Sequence, residues 1–305
     1  MCGCPFHLRH GSGWRTLVRM KIGIVPINVG GPNAAANMIP LAQYAEAAGI
    51  ESVWTFEHAM VPMSYESRYP YDKSGKMPVK PETWFIDPLI ALSHVAAATK
   101  TLRLGTGVNI LPQTNPLLLA KQAASIDVLS GGRLTLGLGI GWLEEEFVAM
   151  GTPFERRGAR FNDYIAAMKK VWSGEVVEHQ SDFLHWSGFQ SFPIPAQRPH
   201  PPILVGGTSK QALERVARLG DGWYAPSGKP ESLAPQLAEL RTIAGAVGRD
   251  YSTIEITGTW LVGAQPDGLA QYRDLGVSRL IVPLYSTGKT EYREAIDVIA
   301  EYVGA

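Results

Sequence analysis

The sequence predicts a (β/α)8 TIM barrel with insertions after the second strand and before the fifth. Three observations predict it. About eight short apolar runs of strand character are spread along the chain, nearly every one followed by a run of helical spacing. That alternation belongs to a parallel α/β protein, and the count belongs to a closed barrel. Leu102–Gly151 reads strand, loop, helix, strand, helix. Two strands joined by a helical crossover should be parallel and right-handed. Finally, glycines stand where strands give way to loops, at Gly105, Gly107, Gly139, Gly141, Gly206 and Gly207. A doubly wound sheet is the competing arrangement, since Gly137, Gly139 and Gly141 imitate a dinucleotide loop. Their spacing is not G-x-G-x-x-G, however, and they lie mid-chain rather than after the first strand.

Taken in order, Lys21–Ile27 reads as the first strand, and Met38–Ala48 as a helix capped by Asn37 and closed by Gly49. Ser52–Phe56 is the second strand and runs into Glu57-His58. Residues 59–85 form a Pro- and Tyr-rich insertion with little periodicity. A loop that long in a compact domain is usually functional, often a lid, and its aromatics argue against full disorder. Asp87-Pro88 is an N-cap followed by proline at the first helical position. Leu102–Thr106 is the third strand. Pro116 after Asn115 opens a helix whose apolar face uses Leu117, Ala120, Ala124 and Val128, and Gly131-Gly132 ends it. Leu134–Ile140 is the fourth strand, turning at Gly139 and Gly141 into a helix that begins near Leu143. Arg156–Trp172 reads as a helix, and Val176–Phe189 as a hairpin-like insertion with its turn near Ser181-Asp182. Ile203–Val205 and Gly222–Ala225 are the fifth and sixth strands, followed by helices to Leu219 and over Ser232–Val247. Ile254–Val262 and Arg279–Leu284 are the last strands, and a helix over Glu291–Tyr302 closes the domain.

The 305 residues, 45% of them hydrophobic, suffice for one large core. The domain is expected over residues 20–305. Residues 1–19 are basic, Gly-rich and aperiodic, without the apolar centre of a signal peptide, and are expected to be a disordered or non-native extension. With 28 basic and 28 acidic residues, charge makes no case for nucleic acid or an acidic membrane surface. No apolar run is long enough to span a bilayer. Cys2 and Cys4 have no further cysteine to complete a metal site, so none is expected. A cysteine-free core fits the cytoplasm.

Several groups could carry chemistry. Glu57-His58 ends a strand, on the catalytic face of a barrel. The histidine there either moves protons or simply bonds a backbone carbonyl. Glu144-Glu145-Glu146 opens a helix, where acids complement the dipole, or turns one carboxylate toward a ligand. Gly206-Gly207-Thr208-Ser209-Lys210 joins glycines, hydroxyls and a cation at a helix N-terminus, a phosphate cradle or a plain capped turn. Arg156, Arg157 and Arg160 form a solvated helix face or a basic site. Trp54, Trp84 and Trp142 suit the core or a pocket wall.

LGTGV, then NP, then LLLAKQAASIDVLSGGRLTLGLGIGWLEEEF resembles the luciferase-like flavin-dependent oxidoreductase superfamily. It is most similar to the branch that uses the deazaflavin coenzyme F420. The resemblance runs from about Met20 to the end and is densest over 53–158 and 202–224. It implies a cytoplasmic oxidoreductase that moves a hydride between coenzyme F420 and a small-molecule substrate. The alternatives are an FMN-dependent monooxygenase fed by a flavin reductase partner, and a barrel that binds cofactor without catalysis. It places His58 in the active site with an acid beside it, here Glu57 where many relatives have Asp. It sets the cofactor ring on a bulge at Thr106, Gly107 and Val108 with a non-proline cis peptide at Gly107–Val108, and the phosphate at Gly206, Gly207, Thr208 and Ser209. Gly141 and Trp142 are further cofactor-binding candidates, and the arginines would suit the coenzyme's acidic tail. It also implies a homodimer through the helices after the second and third strands, which carry Ala91, Ala96, Ala98, Ala120 and Ala123.

Overall fold

Eight parallel strands close on themselves, each hydrogen-bonded to its sequence neighbours and the eighth to the first. They are Lys21–Val25, Ser52–Thr55, Arg103–Thr106, Leu134–Gly139, Ile203–Gly206, Gly222–Ala225, Glu255–Thr259 and Arg279–Pro283. The computed structural model describes residues 20–226, 229–263 and 268–304. The 1–19 extension, with Cys2 and Cys4, therefore lies outside the described residues. The strands are buried almost throughout, because helices cover their outer face and side chains fill the barrel.

The two ends of the barrel differ in chemistry. At the N-terminal end, buried Arg279 forms a bidentate pair with Glu51 at 2.9 Å and a second pair with Glu255. Glu255 also accepts from Lys21 at 3.0 Å. Paired charges seal that end. Toward the other end, Val25, Trp54, Leu204, Tyr224 and Ile281 form an interior cluster. Glycines make room for it. A Cβ on Gly105 would strike the Trp54 ring, and one on Gly107 the Tyr224 ring. One on Gly137 would meet the Thr106 carbonyl, and one on Gly139 a Val108 methyl. The glycine run that imitates a dinucleotide loop is therefore a packing device.

Most expected elements form near their expected ends, and four readings change. The first helix is Pro32–Ala47, not Met38–Ala48. Proline at its first position and three successive alanines start it early, and Asn37 donates to the Asn33 carbonyl inside it rather than capping it. In the helix Pro116–Ser130, Leu119, Ala120, Ala123 and Ala124 face the core while Val128 is exposed. Trp84 is exposed too, on a short strand paired antiparallel with Val29–Gly30. Of the alanines read as a dimer face, Ala91, Ala96, Ala120 and Ala123 are buried within the chain and Ala98 is half-buried. The outward face of the same helices instead carries exposed Ile90, Leu118 and Leu129. The Asp87 and Asn115 caps form as read, each accepting from two backbone N–H groups. No helix among the described residues is long and apolar enough to cross a membrane.

Candidate active site

The third strand leaves the ladder at Thr106 and rejoins it one step on, where Asn109–Ile110 pairs with Leu138 and Gly139. Between them lies the bulge, and its Gly107–Val108 peptide is cis. Thr106 is buried and donates through Oγ1 to the Gly137 carbonyl at 2.8 Å, while Gly107 N donates to Thr55 O at 2.8 Å. Val108 lies against the fifth-strand turn: a Cβ on Gly206 would sit 3.0 Å from one of its methyls. The bulge and the Gly206–Ser209 turn thus adjoin.

Glu57 and His58 diverge. The Glu57 carboxylate accepts from Asn109 Nδ2 at 2.8 Å and from Ile110 N. It clamps the far side of the bulge. Burial pushes its pKa up to about 7, against those two hydrogen bonds, and the nearby Glu146 and Asp87 charges add to the rise. His58 instead pairs with Glu146: Nδ1 lies 3.0 Å from Oε2, and both side chains are mostly shielded from solvent. A carboxylate on Nδ1 fixes the proton there and leaves Nε2 to give or take one.

The acidic cluster proves to hold the insertion. Glu146 Oε1 accepts from Ala59 N at 2.6 Å and Met60 N at 3.3 Å. Glu145 Oε1 accepts from Glu66 N at 2.6 Å and Ser67 N at 3.1 Å, and its pKa falls to about 2. Burial opposes that fall; the hydrogen bonds from Ser67, Glu66 and Glu145's own backbone outweigh it. Glu144 N donates to Ser67 Oγ at 3.0 Å. A cleft of about 580 Å³ lined by Glu66, Ser67, Glu144, Glu145 and Val148 marks this seam and shares no residue with the surroundings of His58. The signal for Glu146 was present in the sequence. Leu143 and Phe147 are apolar at i and i+4, and Glu146 falls on that same inward face.

Trp142 connects the insertion to His58, its ring edge-on to His58 at 6.2 Å and to Tyr65 and Tyr69 at 5.6 and 5.2 Å. Gly141 turns the chain there with φ +78 and offers its carbonyl to Arg157 Nε at 3.2 Å. The arginine triplet does not act as one face: Arg156 is exposed, Arg157 half-buried and Arg160 buried. Arg156 pairs with Asp182 at 2.6 Å, Arg157 lies over the Phe154 ring, and Arg160 is buried, donating to the Pro153 and Glu155 carbonyls.

These residues fit a flavin-type cofactor on two observations. Asn109 Oδ1, beside the bulge, is buried without a hydrogen-bond partner, an acceptor suited to a ring N–H. The Gly206–Ser209 turn leads into the ten-residue helix Lys210–Leu219, capped by Ser209. Gly207 has φ +115, and its carbonyl is fixed by Trp223 Nε1 at 2.7 Å. A helix N-terminus reached by glycines is suited to phosphate. Among the described residues no group of His, Cys, Asp and Glu could hold a metal ion.

The family model for luciferase-like monooxygenases matches residues 19–271. The chain belongs to the luciferase-like monooxygenase family. It is an enzyme, an oxidoreductase of a family that binds flavin-type cofactors. An uncharacterized protein of Mycobacterium tuberculosis is 34% identical over 244 residues, covering 80% of this chain and 83% of that one. The FMNH2-dependent dimethylsulfone monooxygenase of Pseudomonas putida is 31% identical over 213 residues, 68% of this chain and 53% of that one. Among solved structures, the monooxygenase RslO1 of Streptomyces bottropensis superposes with a TM-score of 0.63 at 27% identity, covering 93% and 90% of the two chains. An F420-dependent secondary alcohol dehydrogenase reaches 0.75 at 14% identity, over 93% and 98%, a likeness of fold.

Proposed function

We propose that this luciferase-like enzyme transfers a hydride between coenzyme F420 and a small organic substrate, with His58 moving the accompanying proton. The observation that carries the reading is the His58–Glu146 pair near the bulge: a carboxylate holding one ring nitrogen leaves the other to move a proton. The bound deazaflavin supplies the two-electron chemistry. The chain's own parts do the rest. Thr106, Gly107 and Val108 carry the ring, Asn109 Oδ1 accepts from its edge, and Gly206, Gly207, Thr208 and Ser209 take the phosphate. Glu57 holds the bulge in place, and Trp142 and the lid keep water from His58.

A second reading has an observation of its own. The dimethylsulfone monooxygenase named above is FMNH2-dependent, and a 31% identical relative from Acinetobacter baylyi is an oxygenase component. On that reading the cofactor is reduced FMN, delivered by a separate reductase, and oxygen is consumed. Neither reading draws on the arginine triplet. The deciding experiment adds coenzyme F420 and FMN separately to the purified protein. Submicromolar affinity for F420, with no oxygen uptake in turnover, upholds the first reading. Preference for FMN, with oxygen consumed in step with product, overturns it. We further propose a homodimer seated on the exposed Ile90, Leu118 and Leu129 face.

A further inference from the structure

Aromatic rings in mutual contact gather around His58. His58 meets Phe85 edge-on at 5.2 Å and Trp142 at 6.2 Å. Trp142 meets Tyr69 at 5.2 Å, and Tyr69 meets Tyr71 at 5.4 Å. Tyr224 approaches from beneath, its ring against Gly107. Burial and the neighbouring hydroxyls of Tyr71 and Tyr285 push Tyr69 up to about 12 and Tyr224 higher still, so these hydroxyls remain neutral donors. Met63 on the insertion is 82% exposed, and Tyr285 after the eighth strand is 71% exposed.

Charge at the same place points the other way from an anion. The ionisable groups around His58 are the carboxylates Glu57 and Glu146. On the lid, the Lys76 ammonium is spent on the Tyr65 carbonyl at 2.7 Å and on the Tyr65 ring, 4.3 Å from its centroid. A substrate carboxylate or phosphate beside His58 would be repelled by the Glu146 carboxylate that holds the imidazole.

We propose that the substrate is a neutral molecule with a flat ring body and one hydrogen-bond-accepting oxygen, its ring lying against Trp142 and Tyr69 and its oxygen directed to His58. This rests on the site serving the redox reaction proposed above, and it adds the substrate's charge and shape. Ring-on-ring contact supplies the affinity, and the tyrosine hydroxyls and His58 orient the oxygen.

The test uses three probes on the purified full chain: acetophenone, 4-acetylbenzoate and 2-pentanone. They are respectively the neutral ring ketone, the same ring with a carboxylate, and a ketone without a ring. Binding is read by calorimetry and by quenching of tryptophan fluorescence, and cofactor affinity is measured on the same samples. Acetophenone should bind at least about tenfold more tightly than either other probe. Tyr69→Ala should weaken acetophenone by about tenfold and Tyr69→Phe should restore most of the loss, with cofactor affinity and melting temperature near wild type. Equal or tighter binding of 4-acetylbenzoate overturns the proposal. So does equal binding of 2-pentanone, the absence of acetophenone binding, or indifference to Tyr69→Ala. The two readings fail separately. Cofactor bound without ring selectivity sinks the substrate class alone, and ring selectivity without affinity for either cofactor sinks the redox assignment.

Discussion

Replacing Glu57 by Gln should remove a pH dependence from folding. In the folded chain the Glu57 carboxyl is buried at the bulge and titrates near 7, against an ordinary value of 4.5. The folded state therefore holds that proton more tightly than the unfolded state. Its contribution to stability is complete below the unfolded value and is lost as pH rises through the folded one. Each unit between the two is worth about 1.4 kcal/mol, so the loss totals about 3 kcal/mol, most of it between pH 5 and 8. Asn109 Nδ2 and Ile110 N offset part of the burial and are already included in that value. A glutamine keeps an oxygen for Ile110 N and does not titrate. Its amide can also meet Asn109, whose Oδ1 lacks a partner. Urea unfolding of both proteins at pH 5 and pH 8 isolates the effect, because the histidines contribute equally and cancel. The wild type should lose about 2–3 kcal/mol relative to Glu57→Gln between the two pH values. A stability difference that stays constant to within about 0.5 kcal/mol would show that Glu57 ionises like an exposed carboxyl, and the clamp on the bulge would have to be abandoned.

Four further outcomes are expected. His58→Ala should lower turnover by at least about a hundredfold with cofactor affinity changed only a few-fold, and Glu146→Gln should lower it less, as steady-state kinetics with parallel cofactor titration would show. Glu145→Ala removes the acceptor for Glu66 N and Ser67 N and should speed proteolytic cleavage within residues 59–85, with the melting temperature moving only a few degrees. Gly207→Val and, without backbone strain, Thr208→Ala should each weaken binding of a phosphorylated flavin, the former by more than about tenfold; unchanged affinity in a folded Gly207→Val protein would move the phosphate elsewhere. Leu129→Asp places a charge on a side chain that is 80% exposed. It should convert a dimer to a monomer in sedimentation at micromolar concentration, and a wild type already monomeric would remove the dimer.

The barrel was legible because its signals are local. Alternation of apolar runs, the Asp87 and Asn115 caps and the glycine stops each act within a few residues, and all formed. The first helix was misplaced because Asn37 looks like a cap, although Pro32 five residues earlier can start a helix. At the site, the sequence brought Glu57 and His58 together as neighbours and so suggested partners. Adjacent residues at a strand end project to opposite sides, which sends Glu57 to the bulge and leaves His58 for Glu146, 88 positions away. No spacing rule spans that gap. The arginine triplet failed for a related reason. A run of like charges says nothing of which members the next turn will bury, and Arg160 went inside to hold the Pro153 and Glu155 carbonyls.

One carboxylate serves two structures at once. Glu146 takes the His58 Nδ1 proton on one oxygen and the backbone of Ala59 and Met60 on the other. The start of the insertion and the aim of the imidazole therefore depend on a single side chain. A substitution at Glu146 would disturb both together, whereas one at Glu145 would reach only Glu66 and Ser67.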